Sequence, residues 1–73
     1  MRIEEQLGKR VRYLRTQNGW SIEDLALKGD INRNYLCDLE NGRRNPTLRT
    51  IEKIANAFGL SISELTRGLQ SFN

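Results

Sequence analysis

The sequence has no histidine, one cysteine and one proline in 73 residues, and its aromatic content is one tryptophan, two tyrosines and two phenylalanines. Each shortage excludes something. Without histidine, the commonest general base is missing. A single thiol, Cys37, cannot form a disulfide within the chain, and with no histidine beside it there is no zinc cluster either. No metal and no cofactor are expected. No apolar run approaches the roughly 20 residues that span a membrane, and the start MRIEEQ does not read as a signal peptide. A lone thiol suits a reducing compartment, so a cytoplasmic protein is expected. Alternating β-branched residues are absent, so no strand is predicted. The length allows one domain over residues 1–73 and leaves no room for an enzyme cleft between lobes. A chain this short buries only about 60% of the surface its unfolded form exposes. With no staple available, oligomerisation is the remaining route to stability.

What is present is charge and regular punctuation. The net charge is +3, a mild excess whose distribution says more than its size. Lys9, Arg10, Arg12 and Arg15 crowd one segment, and Arg43, Arg44 and Arg49 another. Glu23, Asp24, Asp30, Asp38 and Glu40 lie between them. Gly19, Gly29, Gly42 with Pro46, and Gly59 divide the chain into five pieces, each with helical periodicity. The first runs from about Ile3 to Asn18, with Ile3, Leu7, Val11 and Leu14 on one face. The second opens at Ser21, with Asp24 three residues on as in a capping box, and turns Leu25, Ala26 and Leu27 inward. Asn32 caps a third that reaches about Asn41, striped by Leu36 and Leu39. Leu48, Ile51, Ile54, Ala55 and Phe58 form the apolar face of a fourth, which begins at Thr47. The fifth opens at Ser61 with Glu64 in a capping box, and Ile62, Leu65, Leu69 and Phe72 lie along it. The expectation is an all-α domain of five helices.

The second and third pieces are short and separated by a few residues, and Ala26 is small enough to let two helices cross closely. This is the spacing of a helix-turn-helix, over about residues 21–41. With Leu36 and Leu39 inward, Arg33, Asn34, Cys37 and Asp38 point outward. Arginine matches the two acceptors on a guanine edge, and asparagine can pair twice with adenine. Asp38 could accept from a cytosine amine, reject phosphate, or hold Arg33 in position. Arg43 and Arg44 follow the helix, where a loop meets the sugar-phosphate backbone, and Asn41 and Asn45 could add amide donors.

From about Leu7 to Leu65 the stretches LGKRVRYLRTQNGWS, IEDLALKGDINRNYL and LENGRRNPTLRTIEKIANAFGLSISEL resemble the Cro/C1-type (lambda-repressor-like, XRE) helix-turn-helix family. Within it, INRNYLCDLENGRRN is most similar to the small restriction-modification controller proteins. The resemblance implies a compact, non-enzymatic domain that binds double-stranded DNA as a homodimer and regulates transcription from a palindromic operator. It implies base-reading roles for Arg33, Asn34 and Asp38 and a structural ion pair between Arg15 and Glu40. Backbone-facing roles fall to Tyr35, Asn41 and Arg43, and Cys37, Arg44, Asn45, Arg10 and Ser21 complete the expected backbone-facing set. Two positions depart from the family pattern. Ile22 stands where the family has a glutamine that touches phosphate. Asp30 stands where the turn has glycine, and because aspartate tolerates left-handed backbone the turn is expected to keep its shape.

Ile62, Leu65, Leu69 and Phe72, on a C-terminal helix of about residues 61–70, are expected to form the dimer interface, although the same stripe could close the core of one chain. RNA polymerase is a further partner if the protein activates transcription. The rival readings are a phage-type repressor and an antitoxin or anti-repressor module whose main partner is a protein.

Overall fold

The computed structural model describes residues 1–70. Five helices follow one another: α1 Ile3–Gln17, α2 Ile22–Gly29, α3 Arg33–Glu40, α4 Leu48–Phe58 and α5 Ile62–Leu65, with no strand among the described residues.

The helix starts are where the polar residues place them. Ser21 and Asp24 form a reciprocal box: the Asp24 N–H donates to Ser21 Oγ at 3.0 Å and the Ser21 N–H to Asp24 Oδ2 at 2.8 Å. Ser61 and Glu64 do the same at α5. Asn32 and Thr47 accept from the N–H groups of Tyr35 and Thr50. Each cap satisfies donors that the first helical turn leaves open. In the turn between α2 and α3, Asp30 adopts φ 53°, the left-handed conformation expected of it.

The core takes Leu7 and Val11 from α1, Leu25 and Ala26 from α2, Leu36 and Leu39 from α3, Ile54 and Ala55 from α4, and Leu65 from α5. Trp20 stacks on Phe58 with ring centroids 5.3 Å apart, closing the α2–α4 side. The tightest approach is α1 on α3. A Cβ added at Gly8 would lie 2.5 Å from the Leu39 carbonyl oxygen and 2.6 Å from that of Glu40, so only glycine admits this crossing.

Three expectations are corrected. Leu27 does not face inward: it is 84% exposed, because Leu25 and Ala26 already fill the buried side of α2. Leu48, placed on the apolar face of α4, is 70% exposed. The fifth helix is one turn, not ten residues. After Leu65 the Thr66 hydroxyl donates to the Ile62 carbonyl, and Gly68 turns left-handed at φ 83°. The chain then returns to α1, where the Gln6 side chain accepts the Gln70 N–H at 2.9 Å.

Candidate nucleic-acid interface

Arg33 and Asn34 open α3, and both are exposed. The cause is local. Asn32 fixes the start of the helix, while Leu36 and Leu39 are buried with at most 1% exposure, so the first turn must turn its other side to solvent. Arg33 is not loose there. Its Nε donates to Glu23 Oε2, on α2, at 2.6 Å. The hydrogen bond from Arg33 holds the Glu23 carboxyl below its usual range and raises the guanidinium in turn.

Asp38 lies one turn further along α3 and is paired with the loop beyond the helix. Its Oδ2 accepts from Arg44 Nη2 at 3.3 Å, and Oδ1 is 3.9 Å from Arg43 Nη1. Of the three roles open to Asp38, holding Arg33 is therefore excluded; Glu23 does that. The Arg44 guanidinium also lies over the ring of the half-buried Tyr35, 5.1 Å from its centroid. Gly42 makes the loop possible: its φ is +76°, and a Cβ there would meet Glu5.

Beneath this surface, Glu40 is 4% exposed. Arg15 donates to both of its oxygens, Nε to Oε2 at 2.7 Å and Nη2 to Oε1 at 2.9 Å, and also gives Nη1 to the Trp20 carbonyl. The bond to Glu40 raises the Arg15 pKa above its ordinary value. Arg12 adds a third contact, Nε to Oε1 at 3.3 Å. The expected pair is thus a three-residue network joining α1 to the end of α3.

The other expected contacts divide. Arg43, Arg44 and Asn45 lie exposed on the loop after α3. Ser21 is exposed, with its hydroxyl engaged in the α2 cap. Cys37 is half-buried. Asn41 is exposed, but its amide is held inside the protein: Oδ1 accepts from Arg12 and Nδ2 donates to the Cys37 carbonyl. Arg10 is a correction. Its guanidinium binds the Leu65 and Glu64 carbonyls at 3.0 and 2.9 Å, satisfying the open end of α5. Leu65 is another correction, with no exposure at all in the single chain, so it belongs to the core and not to an interface. Phe72 lies outside the described residues.

Two members were missed by the sequence reading. Arg12 carried a signal, since it stands three residues before Arg15 and so shares its side of α1. Glu23 carried none, because its pairing with Arg33 follows from the angle between two helices.

A helix-turn-helix family model matches residues 11–65. The chain belongs to the Cro/C1-type helix-turn-helix family. Among members of that family, it is 41% identical to the control protein C.BamHI of Bacillus amyloliquefaciens, over 80% of this chain and 73% of that one. It is 36% identical to the HTH-type transcriptional regulator DdrOP3 of Deinococcus deserti over 92% of this chain, which spans only about half (52%) of that longer protein. In structure it is similar to the restriction-modification controller protein C.AhdI of Aeromonas hydrophila, with TM-score 0.82 and 39% identity, covering 85% of this chain and 94% of that one. Among the described residues, no helix of this Cro/C1-type chain is long and apolar enough to cross a membrane.

Proposed function

We propose that the protein is a sequence-specific, double-stranded-DNA-binding regulator of transcription, acting in the cytoplasm as a homodimer on a palindromic operator, and that it is of the restriction-modification controller kind. The observation that carries this reading is the first turn of α3. It presents an arginine and an amide outward, from a helix pinned on its other side by Leu36 and Leu39. Arg33 and Asn34 read base edges in the major groove, while Arg43, Arg44 and Asn45 meet the phosphates at its rim. Asp38 orders the loop arginines. The likeness to C.BamHI and C.AhdI supports the controller assignment, and RNA polymerase is the partner such a regulator would meet at a promoter.

The dimer face proposed lies where α4 and α5 leave apolar surface uncovered. Leu48 and the half-buried Ile62 line a groove with Arg49 and Glu52 beside them, opposite charges suited to pairing between two copies. The half-buried Leu69 extends the apolar surface past α5. Two-fold symmetry makes the contact self-complementary and demands two inverted half-sites about one helical turn apart, centre to centre.

The test is selection of bound duplexes from a random pool, followed by sequencing. The expected product is an inverted repeat. A single unrepeated site would remove the dimer, and a pool that stays random would remove the reading as a whole.

A further inference from the structure

Arg33 and Glu23 are ten residues apart, on different helices, and both are exposed: their side chains retain 52% and 62% of their accessible surface. An ion pair so exposed adds little to stability, so the fold does not explain why these two side chains are matched. The geometry of the contact is more informative. Glu23 Oε2 accepts from Nε, the inner nitrogen of the guanidinium, at 2.6 Å. The two terminal nitrogens make no hydrogen bond among the described residues. They form the end-on fork that can meet two acceptors at once, such as O6 and N7 of guanine. Around the pair, Ala26, Leu27, Asp30 and Ile31 line a shallow depression at the bend of the motif, which supplies an apolar bed beside the arginine stem.

We propose that Glu23 is a specificity-determining positioning residue: by holding Arg33 at Nε it fixes the direction in which the guanidinium fork leaves α3, and so makes Arg33 a reader of one base pair rather than a mobile phosphate-seeking cation. The inference rests on the proposed reading of DNA by α3. Glu23 does not touch the base; it acts through Arg33. A long arginine that must be ordered on binding loses conformational freedom. Glu23 orders it beforehand. The carboxylate also repels phosphate, so an arginine tied to it gains less from a random position on the duplex than from a guanine edge. Asn34, on the same turn, lacks such a tether: no hydrogen bond holds its side chain among the described residues.

The test compares wild type, Glu23→Gln, Glu23→Ala, Arg33→Ala and the double variant Glu23→Ala with Arg33→Ala. Each full chain is titrated by fluorescence anisotropy on the selected operator, its single-base variants and random duplex. Glu23→Ala is expected to lower the operator-to-random ratio by roughly two- to fivefold per half-site. The loss should be confined to the base pair at which Arg33→Ala relaxes preference, with affinity for random duplex equal or higher. Glu23→Gln, which keeps a neutral acceptor for Nε, should fall between Glu23→Ala and wild type. In the Arg33→Ala background, Glu23→Ala should leave the ratio unchanged. A full operator-to-random ratio in Glu23→Ala would overturn the proposal, as would an equal gain on every duplex or a loss that persists without Arg33. Should the wild type select no sequence at all, the reading of DNA by α3 fails first, and this inference with it.

Discussion

Two carboxylates in this molecule each hold an arginine, at almost the same distance and to opposite purpose. Glu40 binds Arg15 at 2.7 Å and Glu23 binds Arg33 at 2.6 Å. Glu40 is enclosed between α1 and α3, with two arginines on it and its side chain 2% exposed, whereas the Glu23 side chain is 62% exposed. Bond length therefore says nothing about what each pair does. Around Glu40 water is excluded, so the charge has no alternative partner and the network is a fixed joint. Around Glu23 water and ions compete at every moment, so the pair can order a side chain but hardly stabilise a fold. The same applies to Asp38 with Arg43 and Arg44. In this domain the buried arginine–carboxylate contacts set the frame, and the exposed ones set the posture of the side chains proposed to meet DNA.

The largest effect is expected where this difference is greatest. Glu40→Ala leaves Arg15 beside an empty partner, at a cost of about 3–5 kcal/mol. In a domain of this size that lowers the melting temperature by more than about 10 °C. Glu23→Ala, which breaks an equally short bond, should melt with the wild type. Thermal denaturation followed by circular dichroism decides it: two equal melting temperatures would erase the distinction between joint and posture.

A backbone contact beside the Glu40 network should rank next. Alanine is favoured over glycine in a helix by up to about 1 kcal/mol, so Gly8→Ala would stabilise an isolated α1. Here the new Cβ would meet two backbone carbonyl oxygens at 2.5 and 2.6 Å, and neither can move without separating α1 from α3. Overpacking of this kind costs about 1–3 kcal/mol or more. The clash wins, and the midpoint of urea unfolding should fall. A rise would mean the crossing is looser than its geometry.

These two sites mark how far the sequence could be read. Helix order, the caps at Ser21, Asn32, Thr47 and Ser61, and the outward placing of Arg33 and Asn34 were legible because they depend on spacing within one helix, whereas Cys37, expected to point outward with them, is half-buried. The pairing of Arg15 with Glu40 came through resemblance. What escaped depends on how helices lie across one another: Glu23 under Arg33 and Arg10 on the end of α5; the same packing puts Leu65 in the core, where spacing alone left core and interface both open. Leu27 and Leu48 misled for a related reason, since an apolar residue on a short helix can satisfy the periodicity and still find no neighbour to cover it. The end of α5 was overextended because the stripe Ile62, Leu65, Leu69 keeps helical spacing through a turn that Gly68 breaks.

On the exposed side, the arginines should separate by function. Arg33→Ala is expected to lose about 1–3 kcal/mol of discrimination at one base pair of each half-site. Arg43→Ala should weaken operator and random duplex alike, and flatten the slope of log affinity against log salt by about one unit for each arginine lost. Anisotropy titrations across a salt series measure both. If Arg33→Ala retains the full operator-to-random ratio, α3 is not the reading helix.

The smallest effect concerns Asp38, and it tests whether the exposed pairs are exchangeable. Asp38 holds Arg44 at 3.3 Å and stands 3.9 Å from Arg43, both exposed, so these arginines reach a phosphate only by leaving or sharing the carboxylate. Exposed pairs are worth about 0.2–1 kcal/mol. Asp38→Asn keeps the size and hydrogen-bonding capacity of the side chain and removes the competing charge. It should leave the melting temperature unchanged and tighten binding to operator and random duplex together, by up to about fivefold at low salt. The gain should shrink as salt is raised, because screening weakens the carboxylate's hold and the phosphate's attraction together. The opposite result is equally informative. If Asp38→Asn weakens operator binding at one base pair and leaves random duplex alone, then Asp38 accepts from a cytosine amine in the complex. It would then act as a base reader, having released Arg43 and Arg44 to the backbone.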